Sequence, residues 1–312
     1  MEWLSKRMFQ IGSHKFSISA SIVEMFVSSK NIDGNTFDLA KTPNLLVRYF
    51  NRIAKRKPRH LLELGVFRGG SAALLQLIAK PERMLALELS PERIGILDRF
   101  IETEGLEDRL RVEFGVDQSD SVLVRKLAIE HLGEGRSIDM IIDDASHLLG
   151  PTRSSFETLF PLLRPGGIYI IEDYSYLQIH ISEYLDQALQ GSKSARTILE
   201  SLNLESFLQS GDKPCHQLAV EAMLASIVAP GLIKKVVVDR HWLEIERGPE
   251  DFENPDSFDL RALAGDEFSL LKKHAKRKTL ELPTIVSTTN VLGTVPCLRP
   301  GYLDLSFPVW VQ

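Results

Sequence analysis

The chain has 312 residues, of which 37 are Lys or Arg and 42 are Asp or Glu, which gives a formal charge of −5. A composition that is 44% hydrophobic and 25% charged is typical of a soluble globular protein and excludes a disordered chain. The negative charge disfavours nucleic acid as the main partner, because a phosphate backbone requires a broad surface of Lys and Arg.

Neither a disulfide framework nor an export signal is indicated by the sequence. Cys215 and Cys297 lie far apart and in no metal-ligand spacing, which disfavours disulfides and a thiolate zinc site. Glu24 interrupts the most hydrophobic stretch of the N-terminal segment, and no segment approaches the roughly 20 apolar residues that span a bilayer. We therefore expect a cytoplasmic location and no membrane partner.

The order of apolar runs predicts the fold. Residues 1–57 mix short apolar stretches with turn residues and end in a predicted helix from Pro43 to about Arg56, which we interpret as an N-terminal helical cap. The runs predicted as strands are HLLEL (60–64), MLALEL (84–89), LRVEFG (110–115), IDMIID (138–143) and GIYIIED (167–173). The helices predicted between them are Ser71–Ala79, Glu92–Glu104, Asp120–Leu132 and Thr152–Leu163. This alternation predicts an α/β fold with a Rossmann-like, doubly wound and mostly parallel sheet.

Three further segments follow the fifth strand. Residues 178–230 carry apolar residues at helical spacing and are predicted to be a helical insertion, typical of a lid or an oligomer contact. The runs IKKVVVD (233–239) and WLEIERG (242–248) predict an antiparallel C-terminal hairpin that closes the sheet. We therefore predict a central domain over residues 58–249 and a C-terminal extension over residues 250–312.

A glycine-rich turn, ELGVFRGGS, follows the first strand at the place where open α/β sheets bind ligands. Phe67 stands where a dinucleotide fingerprint has its second glycine, which disfavours NAD and FAD. A phosphate-binding loop of the Walker type is excluded because no lysine precedes Ser71. A nucleoside without phosphates fits this loop, and S-adenosylmethionine (SAM) is such a ligand.

Acidic and amide side chains at the carboxyl ends of the strands complete the predicted SAM site. Glu63 is placed to orient the loop or the methionine ammonium, and Glu88 is placed to accept hydrogen bonds from ribose hydroxyls. Asp117 and Gln118 follow the third strand and are placed to bond an adenine amino group. Helix capping is the alternative role for any one of the acids. The candidate SAM-binding residues are Glu63, Gly65, Phe67, Gly69, Ser71, Glu88, Asp117, Gln118 and Asp143.

Two acidic pairs end the fourth and fifth strands. We expect Asp144 of the first pair to converge with Glu172 and Asp173 of the second. Unpaired carboxylates would repel one another and raise each other's pKa, so either a metal cation or a basic partner is needed. Three oxygen ligands without cysteine favour Mg²⁺, Mn²⁺ or Ca²⁺, whereas helix capping is the more ordinary role of a lone Asp-Asp pair.

His147 lies three residues after Asp144 at the same edge, a position that favours a general base, with a buried structural histidine as the alternative. His180, His216 and His241 lack comparable neighbours in the sequence and are expected to be structural or exposed.

Four segments carry a resemblance to a known family. ELGVFRGGSA, GVDQSD, IDDASH and LFPLLRPGGIYIIEDY, in this order over about residues 59–176, resemble the class I SAM-dependent methyltransferases. The closest likeness is to metal-dependent sugar O-methyltransferases of the macrocin and mycinamicin type, although Ala145 replaces the glycine usual in that family.

The resemblance implies that Asp144, Glu172 and Asp173 bind Mg²⁺ (or Mn²⁺) and that His147 is the base. It implies methyl transfer from SAM to a hydroxyl of a sugar or similar small polyol, and it favours a homo-oligomer. The negative charge of the chain already disfavours a nucleic-acid partner. Cephalosporin-hydroxylase-like proteins share much of the pattern. Another metal-dependent enzyme of this fold and a catalytically silent SAM-binding module are therefore the alternatives.

Overall fold

The structure is a computed structural model that describes residues 1–18, 35–201 and 213–265. A unit that runs Met1–Ala264 contains all the elements described below. Cys297 and most of the predicted C-terminal extension lie outside the described residues. The domain boundaries at 57/58 and 249/250 stay predictions.

The N-terminal segment begins with a small sheet, so the predicted helical cap is wrong for this part of the chain. The strands lie in chain order, with the last two parallel and the other pairs antiparallel: β1 (Glu2–Ser5), β2 (Met8–Ile11), β3 (His14–Ile18) and β4 (Thr36–Leu39). The physical reason is an apolar period of two, as in Phe16 and Ile18, which buries one face of a strand. The ring of Phe16 stacks on those of Phe9 and Phe37 at centroid distances of 5.0 and 5.3 Å.

The helix predicted from Pro43 is confirmed. It starts as α1 (Pro43–Arg48) and continues as a π-helical segment (Tyr49–Ala54). Thr42 caps it, since its hydroxyl accepts a hydrogen bond from the Leu45 amide at 3.3 Å, and proline suits the first helical position.

The five predicted central strands and the hairpin form a seven-stranded sheet in the order β10-β11-β9-β8-β5-β6-β7. The strands are β5 (His60–Leu64), β6 (Arg83–Glu88), β7 (Leu110–Phe114), β8 (Ile138–Asp143), β9 (Leu163–Glu172), β10 (Ile233–Val238) and β11 (Trp242–Arg247). Strands β5 to β9 pair in parallel, whereas β11 is antiparallel to both β9 and β10. The predicted α/β class, the parallel sheet and the C-terminal hairpin are therefore confirmed.

Helices cover both faces of this sheet, so its central strands are buried on both sides. Those between the strands are α2 (Gly70–Ala79), α3 (Gly95–Glu104), α4 (Ser121–Leu132) and α5 (Leu149–Leu159). Along β5, Leu61 belongs to a core that includes α2, α3 and the small N-terminal sheet. Its neighbour Leu62 belongs to a second core with α4 and α5. The N-terminal sheet therefore packs on the same face as α2.

The predicted insertion is helical where the structure describes it. Its helices are α6 (Tyr176–Leu189), α7 (Lys193–Ser201) and α8 (Gln217–Val228), and a short α9 (Leu260–Ala264) follows the hairpin. Among the residues that the structure describes, no helix is long and apolar enough to cross a bilayer.

Strand register brings the predicted site residues to one edge of the sheet. Leu64, the last residue of β5, pairs with Leu87 of β6 on one side and with Asp143 of β8 on the other. Asp143 in turn pairs with Ile171 of β9, directly before Glu172. The segments that leave these strands therefore emerge side by side, as expected for a parallel sheet.

Candidate active site

The glycine-rich loop and the acidic strand end are fixed against each other at Gly65. The Gly65 amide donates to the Leu87 carbonyl at 2.9 Å, and the Asp144 amide donates to the Leu64 carbonyl at 2.9 Å. Gly65 has φ +86°, and a Cβ at this position would lie 2.3 Å from the Asp144 carbonyl oxygen. Only glycine combines this positive φ with the absence of a Cβ atom.

Phe67 holds a strained position at the tip of the loop. Its φ is +53°, a backbone conformation that side chains rarely adopt, and the residue is 44% exposed. The Arg68 guanidinium lies 4.9 Å from the centroid of its ring. An aromatic ring is thus presented to solvent beside the loop, where a planar ligand group could stack on it.

Glu88 lies at the loop, as its predicted role requires, but it binds protein amides. One carboxylate oxygen accepts from the amides of Val66 and Phe67 at 2.9 and 2.7 Å, and the other accepts from Ser90 at 2.9 Å. These bonds hold the shape of the loop. Hydrogen bonding of Glu88 to a ribose stays a prediction.

Glu63 is fully buried, and both its carboxylate oxygens lack a hydrogen-bond partner within the described part of the chain. Burial raises the pKa of Glu63 to about 8, although the Ser71 hydroxyl and the Lys41 ammonium nearby favour the charged form. Ser71 lies in the first turn of α2, directly after Gly69 and Gly70. A buried carboxyl group that receives no hydrogen bond of good geometry from the described residues, at the start of a ligand-binding loop, fits a cationic ligand group such as the ammonium of SAM.

Asp143 and Gln118 form a buried network between the ends of β7 and β8. The hydroxyls of Ser155 and Tyr169 donate to Asp143 at 2.8 and 2.9 Å. The Gln118 amide group lies 3.3 Å from both Asp143 oxygens, and its carbonyl accepts from the Ser146 amide at 2.8 Å. Burial raises the pKa of Asp143 to about 6. These contacts fix the segment that leads to His147, and a direct bond of either residue to SAM stays a prediction.

Asp117 is exposed and organises its own turn. It accepts from the Ser119 amide and hydroxyl at 2.8 and 2.7 Å, and these bonds lower its pKa. It lies beyond the end of β7 at the ligand edge, as predicted. Its proposed contact with adenine stays a prediction.

The two predicted acids Asp144 and Glu172 meet at a lysine that sequence reasoning did not single out. The buried ammonium of Lys41 bonds to one oxygen of Asp144 and, at 2.7 Å, to Oε2 of Glu172. The Tyr49 hydroxyl donates to Oε1 of the same glutamate. The sequence required either a metal cation or a basic partner for these carboxylates, and Lys41 is such a basic partner.

Burial and charge act in opposite directions on the pKa values of this cluster. Burial alone would lower the pKa of Lys41, but the carboxylates of Asp144 and Glu172 outweigh it and raise that pKa above its ordinary value. Burial raises the pKa of Glu172, whereas the adjacent ammonium and the Tyr49 hydroxyl oppose the rise. Burial and the neighbouring glutamate raise the pKa of Tyr49, which keeps its hydroxyl protonated as a donor.

Asp173 does not join the other two carboxylates. It has φ +47°, and its amide donates to the His241 carbonyl at 2.7 Å. Its carboxylate lies 3.5 Å from Nδ1 of His241. Within the described residues no three acidic, histidine or cysteine side chains are grouped to hold a metal ion. Asp144, Glu172 and Asp173 do not fit a metal centre in this arrangement, because an ammonium stands between two of them and the third faces a histidine.

His147 leaves the same edge, as predicted, with its backbone at φ +56° and its side chain half-buried. It lies near enough to Asp143 for its charge to favour the ionised carboxylate. Leu148, the next residue, forms an isolated bridge with Pro214 of the helical insertion. The histidine thus stands between the acidic strand end and the insertion.

Further residues missed by sequence reasoning tie the N-terminal segment to the site. Asp38 of β4 forms an ion pair with Arg68 of the glycine-rich loop. A Cβ on Gly70 would lie 2.2 Å from the Asp38 carbonyl oxygen, so β4 passes directly over the start of α2. An isolated lysine or aspartate in an irregular segment gives no local signal of such a long-range contact.

The parallel sheet, the glycine-rich loop and the acidic strand ends define a class of protein. Residues 62–174 match the family model described as "Methyltransferase domain". This match covers the motif-bearing segment of the chain, and the resemblance to methyltransferases predicted from those motifs is confirmed there.

The relatives are O-methyltransferases. The chain is similar to 8-demethyl-8-(2-methoxy-alpha-L-rhamnosyl)-tetracenomycin-C 3'-O-methyltransferase of Streptomyces olivaceus, at 32% identity over 137 residues, or 41% of this chain and 31% of that one. It is similar to demethylmacrocin O-methyltransferase of Streptomyces fradiae at 42% identity over 67 residues, or 22% of this chain and 16% of the relative. Among solved structures, the mycinamycin-pathway methyltransferase MycE in complex with Mg and SAH aligns at 22% identity and a TM-score of 0.41, over 68% of this chain and 51% of that one. The aligned region spans less than a third of either curated relative.

Proposed function

We propose that this protein transfers a methyl group from SAM to a hydroxyl of a sugar or a similar small polyol. The observation that carries the proposal is Glu63, a buried carboxyl group at the glycine-rich loop to which no group in the described part of the chain donates a hydrogen bond of good geometry. The names of the relatives support the acceptor class, since the demethylmacrocin and tetracenomycin enzymes are O-methyltransferases and the latter name includes a rhamnosyl group.

SAM, when bound, supplies an electrophilic methyl group on a sulfonium. Glu63 binds the cationic end of the cofactor, and Gly65 lets the loop backbone approach it closely. Phe67 presents an exposed aromatic ring beside the loop, on which a planar group of the cofactor can stack. Glu88 keeps the loop amides in place through its bonds to Val66 and Phe67.

His147 is the proposed general base that takes the proton of the acceptor hydroxyl. The Asp143–Gln118 network fixes the strand end before it, and the bridge from Leu148 to Pro214 holds the segment after it. The histidine is therefore supported from both sides, which reduces the cost of orienting it for reaction.

The helical insertion has two proposed roles, as a cover over the site and as an oligomer contact. Its bridge to Leu148 supports the role of residues 178–230 as a cover over the site that excludes water. Helix α8 also exposes a row of apolar side chains, which supports the predicted homo-oligomer. They are Val220, Met223, Leu224, Ile227 and Val228. The cytoplasmic location stays a prediction from the sequence.

Calorimetric titration with SAM, performed with and without EDTA, tests the proposal directly. We expect one SAM molecule to bind per chain, and we expect S-adenosylhomocysteine to accumulate when a rhamnose-containing acceptor is added. Absence of SAM binding in both conditions would sink the proposal. Binding without S-adenosylhomocysteine for any hydroxylated acceptor would favour the silent binding module.

The pKa of Glu63 predicts a pH dependence of SAM binding. Glu63 is largely protonated below about pH 8 in the free protein, and a cationic ligand favours its ionised form, so binding releases a proton. We expect SAM affinity to rise with pH up to about 8 and then to level off. Titrations in buffers of different ionisation enthalpy measure the proton release, and no release at neutral pH would contradict the assignment.

The Glu63→Gln variant distinguishes the role of Glu63 in SAM binding from its effect on the stability of the fold. A carboxyl whose folded pKa is about 8 and whose ordinary value is 4.5 lowers the free energy of unfolding as pH rises through that window. The decrease is about 5 kcal/mol at most. We expect the variant to lose SAM affinity and the proton release, but to melt at a higher temperature than the wild type above pH 8. Glu82→Gln, at an exposed glutamate paired with Arg59, is the control that should change neither.

A further inference from the structure

We propose that the ammonium of Lys41 is the resident cation of this site and stands where a divalent metal ion would otherwise bridge Asp144 and Glu172. The proposal deepens the proposed methyl transfer and rests on it only for the activity measurements described below. Its structural part concerns which cation the two carboxylates bind.

The contacts of Lys41 give both carboxylates a cationic partner within the protein. The Lys41 side chain is 3% exposed and bonds to Asp144 and to Oε2 of Glu172, whose side chain is 0% exposed. The other oxygen of Glu172 accepts the Tyr49 hydroxyl. Both oxygens of the buried glutamate are therefore occupied by protein donors.

The positive charge of Lys41 also disfavours a divalent ion at this position. Lys41 places one positive charge between Asp144 and Glu172 in a buried setting. A divalent ion added beside this ammonium would meet like charge at close range, where repulsion is poorly screened. The third acid, Asp173, faces His241 and offers no ligand that would offset that cost.

The backbone places Lys41 at this point. Its amide donates to the Leu39 carbonyl at 2.8 Å at the end of β4, and α1 begins two residues later behind the Thr42 cap. Its ammonium also lies 5.4 Å from the centroid of the Tyr49 ring. A side chain fixed by a strand on one side and a capped helix on the other is a built component of the site.

We assign Lys41 as a positioning residue that holds the carboxylate of Asp144 on the segment leading to His147. Removal of one partner from a buried ion pair leaves an uncompensated charge, which is strongly destabilising. In Lys41→Met the two carboxylates would face each other without a cation, and a divalent ion would then relieve their repulsion. The variant should therefore acquire a response to metal that the wild type lacks.

Thermal melting of metal-free protein, with and without millimolar Mg²⁺ or Mn²⁺, tests this assignment. We expect no metal-dependent shift of Tm in the wild type, and a Tm for Lys41→Met that is several degrees lower and partly restored by the ion. Lys41→Arg, which keeps a positive charge, should show neither the full loss nor the restoration. Lys234→Met, which removes an exposed lysine 2.7 Å from Glu246, is the matched control and should show no metal response.

Activity measurements provide the second readout. We expect wild-type methyl transfer to be unchanged by EDTA, and transfer by Lys41→Met to be reduced at least tenfold and partly recovered with Mg²⁺. Loss of wild-type transfer on EDTA treatment, or a Mg²⁺-dependent rise of wild-type Tm that Asp144→Asn removes, would overturn the proposal. If Lys41→Met does not fold, the wild-type comparison and Lys41→Arg still decide the question. If no methyl transfer occurs at all, the proposed function fails, while the melting experiment continues to test the cation.

Discussion

The Gly65→Ala substitution is expected to abolish SAM binding and to destabilise the protein by about 2–5 kcal/mol. The new Cβ would lie 2.3 Å from the carbonyl oxygen of Asp144, and neither backbone can withdraw easily because each is hydrogen-bonded into the sheet. The φ of +86° adds a further cost for any residue with a side chain. Denaturant unfolding and SAM titration measure the two effects.

Gly105→Ala is the matched control for this substitution. Gly105 also has a left-handed backbone, at φ +60°, but a Cβ there would meet nothing within 4 Å. We expect it to cost only about 1–2 kcal/mol and to leave SAM affinity unchanged. Equal losses of stability and of SAM affinity in the two variants would show that backbone conformation, rather than contact with the acidic strand end, explains the effect at Gly65.

His147→Asn is expected to slow methyl transfer by about 10²–10⁴-fold while leaving the Kd for SAM nearly unchanged, because it removes a proton acceptor outside the glycine-rich loop. Asparagine suits this position better than alanine, since His147 has φ +56° and asparagine tolerates that region. The variant therefore removes the imidazole with little backbone strain. Single-turnover transfer and SAM titration separate the two quantities.

His14→Asn, at a histidine of β3 that bonds to Glu104 at 2.8 Å, is the control and should retain full activity. Wild-type rates in His147→Asn would remove the proposed base. A parallel loss of SAM affinity would instead indicate that His147 shapes the cofactor site.

The central sheet was predictable because its signals are local. Runs such as HLLEL and IDMIID coincide with β5 and β8 residue for residue, since a fully buried strand must be continuously apolar. Parallel pairing then places the ends of β8 and β9 together, which is why the convergence of Asp144 with Glu172 could be expected before any coordinates. Side-chain period and strand order were sufficient for these conclusions.

The sequence could not predict that Lys41 is the cation beside these carboxylates. The pairing of Lys41 with Asp144 joins positions 103 residues apart, and its pairing with Glu172 spans 131. No periodicity connects such residues, so electrostatics could state only that a positive group was required. The small sheet was missed for a related reason, since β1 to β3 are four or five residues long and their alternation was outweighed by the helical pattern after Pro43.

The path of β4 has a consequence for how this protein can be divided. The family match begins at residue 62, yet Asp38 is paired with Arg68 and Lys41 is buried between two carboxylates of the matched region. A fragment started at residue 58 would retain every recognisable motif while losing the counter-charge of its acidic strand ends. The segment detected by similarity is therefore smaller than the segment that has to be expressed for the site to assemble.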